Sequence, residues 1–201
     1  MKKYKCIVSY DGTNYSGFQV QKNNITIQSA LQDAFFKRFQ QKIDVTGASR
    51  TDSGVHALGQ VIHFETEEIQ DFNFFLYQIN SILPKDIKIL SIEEVDSSFH
   101  CRYNSKKKTY FYYLTHQQHL PPFGREYLLT VPHKIDIESM KEASKAFIGS
   151  ISATITCAPI PRAREASPRP HQPYPTTKNF LPAKSIFVAR TTPSTVDCPV
   201  P

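Results

Sequence analysis

Prolines are distributed unevenly along this 201-residue chain, and their distribution limits where a packed fold can form. Ten of the fourteen prolines lie in residues 151–201, which contain none of the seven glycines. That stretch keeps neither a strand-like nor a helix-like apolar period for long, and such a composition does not support a packed core. The sequence therefore predicts a folded region over residues 1–150, followed by a proline-rich tail that is aberrant or disordered.

Apolar residues in the first 150 positions recur with the periods of helices and strands. Two amphipathic helices are predicted, one after the N-cap Thr26 and one from Asp71 to just before Pro84, because their apolar residues repeat three and four positions apart. Strands are predicted at residues 4–10, 43–46, 60–66, 87–95 and 109–114, and a third helix at residues 136–147. The order β-α-β-β-α-β-β predicts an α+β fold whose helices cover one face of a sheet.

One of these strands alternates between two sets of side chains. Ile62 and Phe64 belong to one face, and Val61, His63 and Glu65 belong to the other. In an antiparallel sheet, one face commonly packs on the core while the other is solvated. We therefore expect one of these two faces of the strand to be solvated.

The overall charge is only a weak guide to the partner of this chain. Its hydrophobic content of 40%, with 12% aromatic residues, is enough to form a core. The formal net charge is +6, but residues 151–201 carry six of the 24 basic and two of the 18 acidic residues. Residues 1–150 therefore have a net charge of only +2, so net charge alone gives little support for a nucleic-acid partner.

The cysteines and the apolar runs indicate the compartment. Cys6, Cys101, Cys157 and Cys198 form no Cys-x-x-Cys pair and no short ligand spacing, which predicts reduced thiols, with no metal site and no disulfide framework. No run approaches the roughly 20 apolar residues of a membrane span, and the N-terminus has no apolar signal core. The sequence therefore predicts a cytoplasmic protein without a membrane partner.

The stretch with the most reactive character is Arg50-Thr51-Asp52-Ser53-Gly54. It places a carboxylate two residues after a guanidinium, and its Ser-Gly pair favours a tight, exposed turn. Asp-Ser-Gly is also typical of an ordinary Asx-turn, in which the Asp side chain accepts a hydrogen bond from its own backbone two residues on. From the residues alone, Asp52 is either a turn-forming residue or a reactive acid with a cation beside it.

Four segments of the chain resemble a known enzyme family. Residues 50–57, Arg-Thr-Asp-Ser-Gly-Val-His-Ala, resemble the active-site signature of the tRNA pseudouridine synthases of the anticodon-arm, or TruA, type. Residues 10–19 resemble the first-strand motif of that family, and residues 99–103 and 108–112 resemble its Phe-His-Ala-Arg and Arg-Tyr-x-Tyr segments. The resemblance covers about residues 3–149 and departs from the family pattern at three positions: Ser49 in place of Gly, Phe18 in place of Trp and Cys101 in place of Ala.

The resemblance implies a fold, a reaction and a partner. The fold is the pseudouridine synthase fold, built on ferredoxin-like halves with an antiparallel sheet and helices on one face. The reaction isomerises uridine to pseudouridine at positions 38, 39 and 40 of the tRNA anticodon arm and uses no cofactor. The partner is therefore tRNA, and the working unit is expected to be a homodimer.

The resemblance also assigns roles to residues. Asp52 is the catalytic residue and can serve as a nucleophile, although the sequence leaves open whether it attacks C6 of the base or acts at the sugar. Arg50 pairs with this carboxylate or with a phosphate beside the extruded nucleotide, and a turn-stabilising surface ion pair is the alternative. Tyr110 corresponds to the tyrosine that lies against the uracil.

Basic residues near these positions are candidate RNA contacts. A run of three lysines precedes Tyr110 and would contact phosphates, although such a run is usually a solvated loop. Arg102 and two histidines would line the cleft. The candidate RNA contacts are Lys106, Lys107, Lys108, Arg102, His56 and His100.

The sequence divides into three segments. Residues 1–104 are predicted to form the N-terminal catalytic half with the Arg-Thr-Asp motif, residues 105–150 to begin a second α/β half, and residues 151–201 to form the tail. The family continues with further active-site segments that residues 151–201 lack, so the C-terminal half is expected to be incomplete, through a shifted reading frame near position 150 or through truncation with an unrelated tail. The alternative function is an RNA-binding module or an inactive synthase, without turnover.

Overall fold

The computed structural model describes residues 1–116, 119–120, 122, 124–147 and 190–192. The described residues belong to two compact units: residues 1–110 with residues 190–192 form the first, and the described residues between 111 and 147 form the second. The tail predicted at residues 151–201 lies outside the described residues, apart from the strand at 190–192.

The first unit contains a four-stranded sheet and two helices. Its elements in chain order are β1 (Lys2–Tyr10), α1 (Ile27–Phe39), β2 (Thr46–Gly47), β3 (Ala57–Thr66), α2 (Phe72–Ile82) and β4 (Ile87–Val95). The strands lie in the order β2-β3-β1-β4, and each neighbouring pair is antiparallel. This is the ferredoxin-like βαββαβ arrangement, so the predicted α+β class and antiparallel sheet are confirmed.

Both helices begin at side-chain caps, of which Thr26 was predicted from the sequence. Thr26 and Ser29 form a capping box at the start of α1, and Asp71 accepts hydrogen bonds from the first backbone N–H groups of α2. Leu83 is extended because it precedes Pro84, and α2 ends there. In the described part of the chain, no helix is both long enough and apolar enough to span a membrane.

The core lies between these helices and one face of the sheet. Alternate residues of β1 are buried toward it, namely Tyr4, Cys6, Val8 and Tyr10. The ring of Phe35 in α1 lies 4.5 Å from that of Phe64 in β3, and Phe75 in α2 packs against both. The prediction that the helices cover one face is therefore confirmed.

The opposite face of β3 is less solvated than the sequence predicts. Val61 and His63 are only 2% and 8% exposed. Phe99 and Cys101 pack over this face, and Val61 joins a small buried cluster with Cys101. The expectation was wrong for Val61 and His63, because the residues that cover them come from a distant part of the chain and leave no trace in the local alternation. Glu65, on the same face, is exposed as expected.

The remaining elements are short. They are β5 (Lys107–Thr109), β6 (Leu114–Thr115), β7 (Leu129–Thr130), α3 (Ile137–Ser144) and β8 (Arg190–Thr192). In the first unit β5 pairs with β8 antiparallel, and in the second β6 pairs with β7 parallel. The single strand predicted at residues 109–114 is wrong, because residues 110–113 lie outside any strand. Aromatic residues favour strands only where a neighbouring strand packs beside them.

Candidate active site

The loop between β2 and β3, residues 48–56, carries the Arg-Thr-Asp motif and is called the Asp52 loop here. It leaves the sheet with a hydrogen bond from Ala48 N to Val61 O of 2.8 Å. The side chains that follow alternate: Ser49 and Thr51 are buried, whereas Arg50 and Asp52 are exposed. One set of side chains therefore anchors the loop, while the other presents a cation and an acid to solvent.

A second segment, residues 10–19, holds the backbone of the Asp52 loop on both sides of Asp52. Phe18 N donates to Thr51 O at 2.9 Å, and Gly54 N donates to Tyr15 O at 3.3 Å. Ser53 Oγ donates to the same Tyr15 carbonyl at 3.2 Å. Because backbone groups on both sides of Asp52 are hydrogen-bonded to another segment, the backbone at Asp52 is held in one position.

Two glycines allow this close approach. A Cβ at Gly12 would lie 2.0 Å from the carbonyl oxygen of Val55, and a Cβ at Gly17 would lie 2.7 Å from that of Thr51. Gly17 also has a φ of +86°, which side chains other than glycine rarely adopt. The glycines of the first-strand motif are therefore explained by contact with the Asp52 loop.

A hydrogen bond between buried side chains also holds the Asp52 loop in place. The hydroxyl of Tyr10 lies 2.8 Å from Thr51 Oγ1. Burial raises the pKa of Tyr10 above its usual value; the bond with Thr51 opposes this, and the nearby Tyr110 adds to it. Tyr110 itself is 39% exposed.

His56, the last residue of the Asp52 loop, is buried. Its Nδ1 accepts a hydrogen bond of 3.1 Å from Gly12 N when the ring is neutral. The same atom lies 2.9 Å from Asp11 Oδ1, to which it can donate when the ring is protonated. Both partners belong to the turn after β1, so His56 joins that turn to the Asp52 loop. This placement fits a positioning role better than direct contact with RNA.

The exposed charges of the loop are not paired with one another. In the described part of the chain, Arg50 and Asp52 take part in no ion pair. An Asx-turn is also absent at this position, because the Gly54 N–H that would bond the Asp52 side chain donates to Tyr15 O instead. The carboxylate of Asp52 and the guanidinium of Arg50 are therefore available to a substrate.

The turn at residues 99–104, which carries the exposed Arg102, contacts the beginning of the Asp52 loop. Cys101 forms a buried cluster with Ala48 and Val61, and its backbone N–H donates to His63 Nδ1 at 3.3 Å. Lys106 and Lys107 are exposed and Lys108 is half-buried, on the stretch that leads from this turn to Tyr110.

Several residues of the site were not assigned roles from the sequence. Tyr10, Asp11 and Thr51 all contribute contacts, and the signal that could have found them is their position inside two motifs of the same family. Ser49, where the family pattern has Gly, bonds Gln60 twice, at 2.8 and 2.9 Å. The described residues include no group of three or more His, Cys, Asp or Glu that could hold a metal ion.

Comparison with known proteins is consistent with the α+β fold. Residues 6–104 match the model of a family described as tRNA pseudouridine synthase, which is the class of protein that this comparison indicates. A protein named tRNA pseudouridine synthase A from Bacillus pumilus is 41% identical over 158 residues, covering 78% of this chain and 64% of that protein. The proteins of the same name from an Exiguobacterium species and Thermodesulfovibrio yellowstonii are also 41% identical, over 75% of this chain and 60% and 59% of their own lengths.

The chain belongs to the TruA-type family of tRNA pseudouridine synthases. It spans about 60% of the length of the relatives it matches.

Proposed function

We propose that this chain isomerises uridine to pseudouridine at positions 38, 39 and 40 of the tRNA anticodon arm. The observation that carries the proposal is the exposed carboxylate of Asp52 on a loop whose backbone is bonded to residues 10–19. The names of the relatives support tRNA as the substrate. The choice of positions rests on the resemblance of residues 50–57 to the TruA signature.

The reaction breaks the bond between C1′ and N1 of the uridine and joins C1′ to C5 of the rotated base. N1 gains a proton and C5 loses one, so substrate and product are isomers and no oxidant or reductant is consumed. Asp52 serves as the nucleophile, attacking either C6 of the base or the sugar, and is released when the new bond is complete. The fixed backbone of its loop holds the carboxylate in one place during the rotation.

The neighbouring residues hold the extruded nucleotide. The exposed guanidinium of Arg50 binds a phosphate next to the target, which its planar fork suits. Tyr110 stacks on the uracil ring. Extruding a base costs a few kcal/mol, roughly 2 to 4, and these contacts offset that cost. Lys106, Lys107, Lys108 and Arg102 bind phosphates farther along the RNA, and His56 holds the loop in position.

The proposal includes the organisation of the chain. Residues 1–104 form the catalytic half, and the family match ends at residue 104, which supports this boundary. Residues 105–150 begin the second half. The resemblance also supports a homodimer that acts in the cytoplasm without a cofactor.

The test measures tritium released from uridine labelled at C5 in a tRNA transcript. Asp52→Asn removes the nucleophile without changing the size of the side chain, and release is expected to fall at least about a thousandfold. Binding of the tRNA should change by less than about threefold. Asp44→Asn is the matched control, because Asp44 is an exposed aspartate outside the loop, and it should retain full activity.

The outcomes separate the two candidate functions. Binding of tRNA by the unmodified chain without any tritium release would support an RNA-binding module instead of an enzyme. Equal release from Asp52→Asn and the unmodified chain would remove Asp52 from the mechanism. Transcripts with uridine at only one of positions 38, 39 and 40 then test the choice of position.

A further inference from the structure

A stack of three rings lies on the face of β3 that the helices do not cover. His63 lies edge-on to His100 with their ring centroids 4.9 Å apart, and His100 stacks on Tyr103 at 4.3 Å with an interplanar angle of 30°. His63 is buried, whereas Tyr103 is 81% exposed. The stack therefore begins inside the protein and ends in an aromatic ring that faces solvent.

The turn that carries Tyr103 is held in one conformation. His100 N donates to Asn104 Oδ1 at 2.7 Å, and Asn104 N donates to His100 O at 2.9 Å. Cys101 is buried between these residues and β3, and its backbone N–H donates to His63 Nδ1. Because the turn is fixed by its own contacts, the exposed ring is already oriented before any partner binds, which lowers the entropy cost of binding.

The charges around this ring favour a polyanion. Residues 99–110 contain four basic residues, Arg102, Lys106, Lys107 and Lys108, and no acidic residue. None of the four forms an ion pair with another described residue. On β1, by contrast, Lys2, Lys3 and Lys5 each pair with a glutamate. The cations near Tyr103 are therefore available to an external anion, while those of β1 are already neutralised.

We propose that the ring of Tyr103 stacks on an unpaired base of the bound RNA, while Arg102 and the adjacent lysines bind the phosphates on either side of that base. An aromatic ring beside unpaired cations is the usual arrangement for binding single-stranded nucleic acid, since bases stack on the ring and the cations follow the backbone. A base inside a duplex is covered on both faces by its neighbours, so this contact selects an unpaired one.

This contact is proposed for a base other than the reacting uracil. The turn contacts the beginning of the Asp52 loop, because Cys101 and Ala48 belong to one buried cluster. Since Tyr110 is proposed to stack on the reacting uracil, the ring of Tyr103 is assigned to a different base of the same RNA. The inference rests on the proposed function for the identity of the RNA, but it concerns affinity instead of the chemical step.

The test compares the binding of two RNA probes to the full chain: the anticodon stem-loop of an unmodified tRNA, and a blunt duplex of equal length. Tyr103→Ala should weaken binding of the stem-loop by about 5- to 100-fold, the usual cost of losing one stacked base, and leave the duplex unchanged. Tyr103→Phe keeps the ring and should bind both probes normally. Tyr77→Ala is the matched control, because Tyr77 is 73% exposed but lies on α2.

The salt dependence of RNA binding distinguishes the contribution of ring stacking from that of the phosphate contacts. Loss of a stacking contact should leave the slope of log affinity against log salt unchanged in Tyr103→Ala. Loss of one phosphate contact in Arg102→Gln should reduce the slope by about 0.7 to 0.9. Tritium release at saturating RNA should be normal in the control variant Tyr77→Ala.

Three results would overturn the inference: normal stem-loop binding by Tyr103→Ala, an equal loss for the duplex, or an equal loss in Tyr77→Ala. Failure of the proposed function gives a different result. In that case the unmodified chain releases no tritium, while the effect of Tyr103→Ala on stem-loop binding persists and still supports the stacking contact.

Discussion

Two regions attached to β3 are held in different ways. The Asp52 loop, which leads into the start of the strand, is bonded through its backbone to residues 10–19, and two glycines there allow close contact. The turn at residues 99–104 packs on the side of the strand through stacked rings, an N–H bond from Cys101 to His63, and the buried cluster that Cys101 forms with Ala48 and Val61. The first arrangement fixes one carboxylate, whereas the second displays a ring and several cations.

The difference reflects what each region is proposed to do. A nucleophile must meet one atom of the substrate, and a displacement of about 1 Å can cost a hundredfold in rate. A surface that binds RNA through stacking and phosphates tolerates more movement, because every base has an aromatic face and phosphates recur along the chain. We therefore expect mutations in the support of the Asp52 loop to affect stability and turnover, and mutations in the turn to affect binding.

The largest of these effects is expected at Gly12. Gly12→Ala places a methyl group against the carbonyl oxygen of Val55, so one of the two backbones must move. The free energy of unfolding should fall by about 3 kcal/mol, as measured by urea denaturation. Gly54→Ala is the matched control: Gly54 has a φ of +75° but open space around it, so about 1 kcal/mol is expected from backbone strain alone. Similar losses in both variants would show that the two segments are not closely packed.

A smaller effect, which depends on pH, is expected at His63 in the second region. Burial, with His100 and Lys3 nearby, lowers its pKa from 6.5 to about 4. The unfolded chain therefore binds a proton near pH 6.5, and the folded protein does so only near pH 4. Stability should fall by about 1 to 3 kcal/mol as the pH drops through this window.

Replacing His63 tests this dependence. His63→Gln keeps an acceptor for the Cys101 N–H, and its stability should vary less between pH 6.5 and pH 4, as measured by thermal unfolding at each pH. His133→Gln changes an exposed histidine and should leave the dependence unaltered. A His63→Gln variant with the same pH dependence as the unmodified chain would show that the ring is not protected from protonation.

The smallest effect is expected at Tyr10. Tyr10→Phe removes the hydrogen bond to Thr51 and should lower stability by about 1 kcal/mol. Because Thr51 precedes Asp52, kcat should also fall by about three- to tenfold, with KM unchanged. Tyr4→Phe is the matched control, since its hydroxyl bonds Ile69 N at 2.8 Å away from the loop. It should lose similar stability and keep its kcat, and a parallel fall in kcat would assign the effect of Tyr10→Phe to general stability.

The helices were predictable because their determinants are local. Thr26 and Asp71 cap the helices that they precede in sequence, and the apolar residues that follow recur with the helical period. The covered face of β3 was not predictable, because Cys101 lies 38 residues from His63, to which it bonds. The prediction of a strand at residues 109–114 was wrong for a similar reason. The β propensity of a segment depends on the strands that pack beside it, which the local sequence does not specify.

The candidate site also contains residues that the sequence could identify and contacts that it could not. Asp52, Arg50 and Tyr110 could be named from motifs, and their roles remain predictions. The bond between Tyr10 and Thr51 joins residues 41 positions apart, and the sequence contains no local signal for it. The ring stack that ends at Tyr103 likewise depends on β3 passing beneath a turn that comes later in the chain.

The sequence by itself determined the order of helices and strands, the family and the residues of the Arg-Thr-Asp motif, because each depends on neighbours within a few positions or on a recognisable run. Only the tertiary structure decided which segment holds the Asp52 loop, that Asp52 and Arg50 form no ion pair with the residues it describes, and that the ring of Tyr103 is left exposed. Those properties depend on distances between segments that are remote along the chain, and burial and hydrogen bonding set such distances only when the sheet forms.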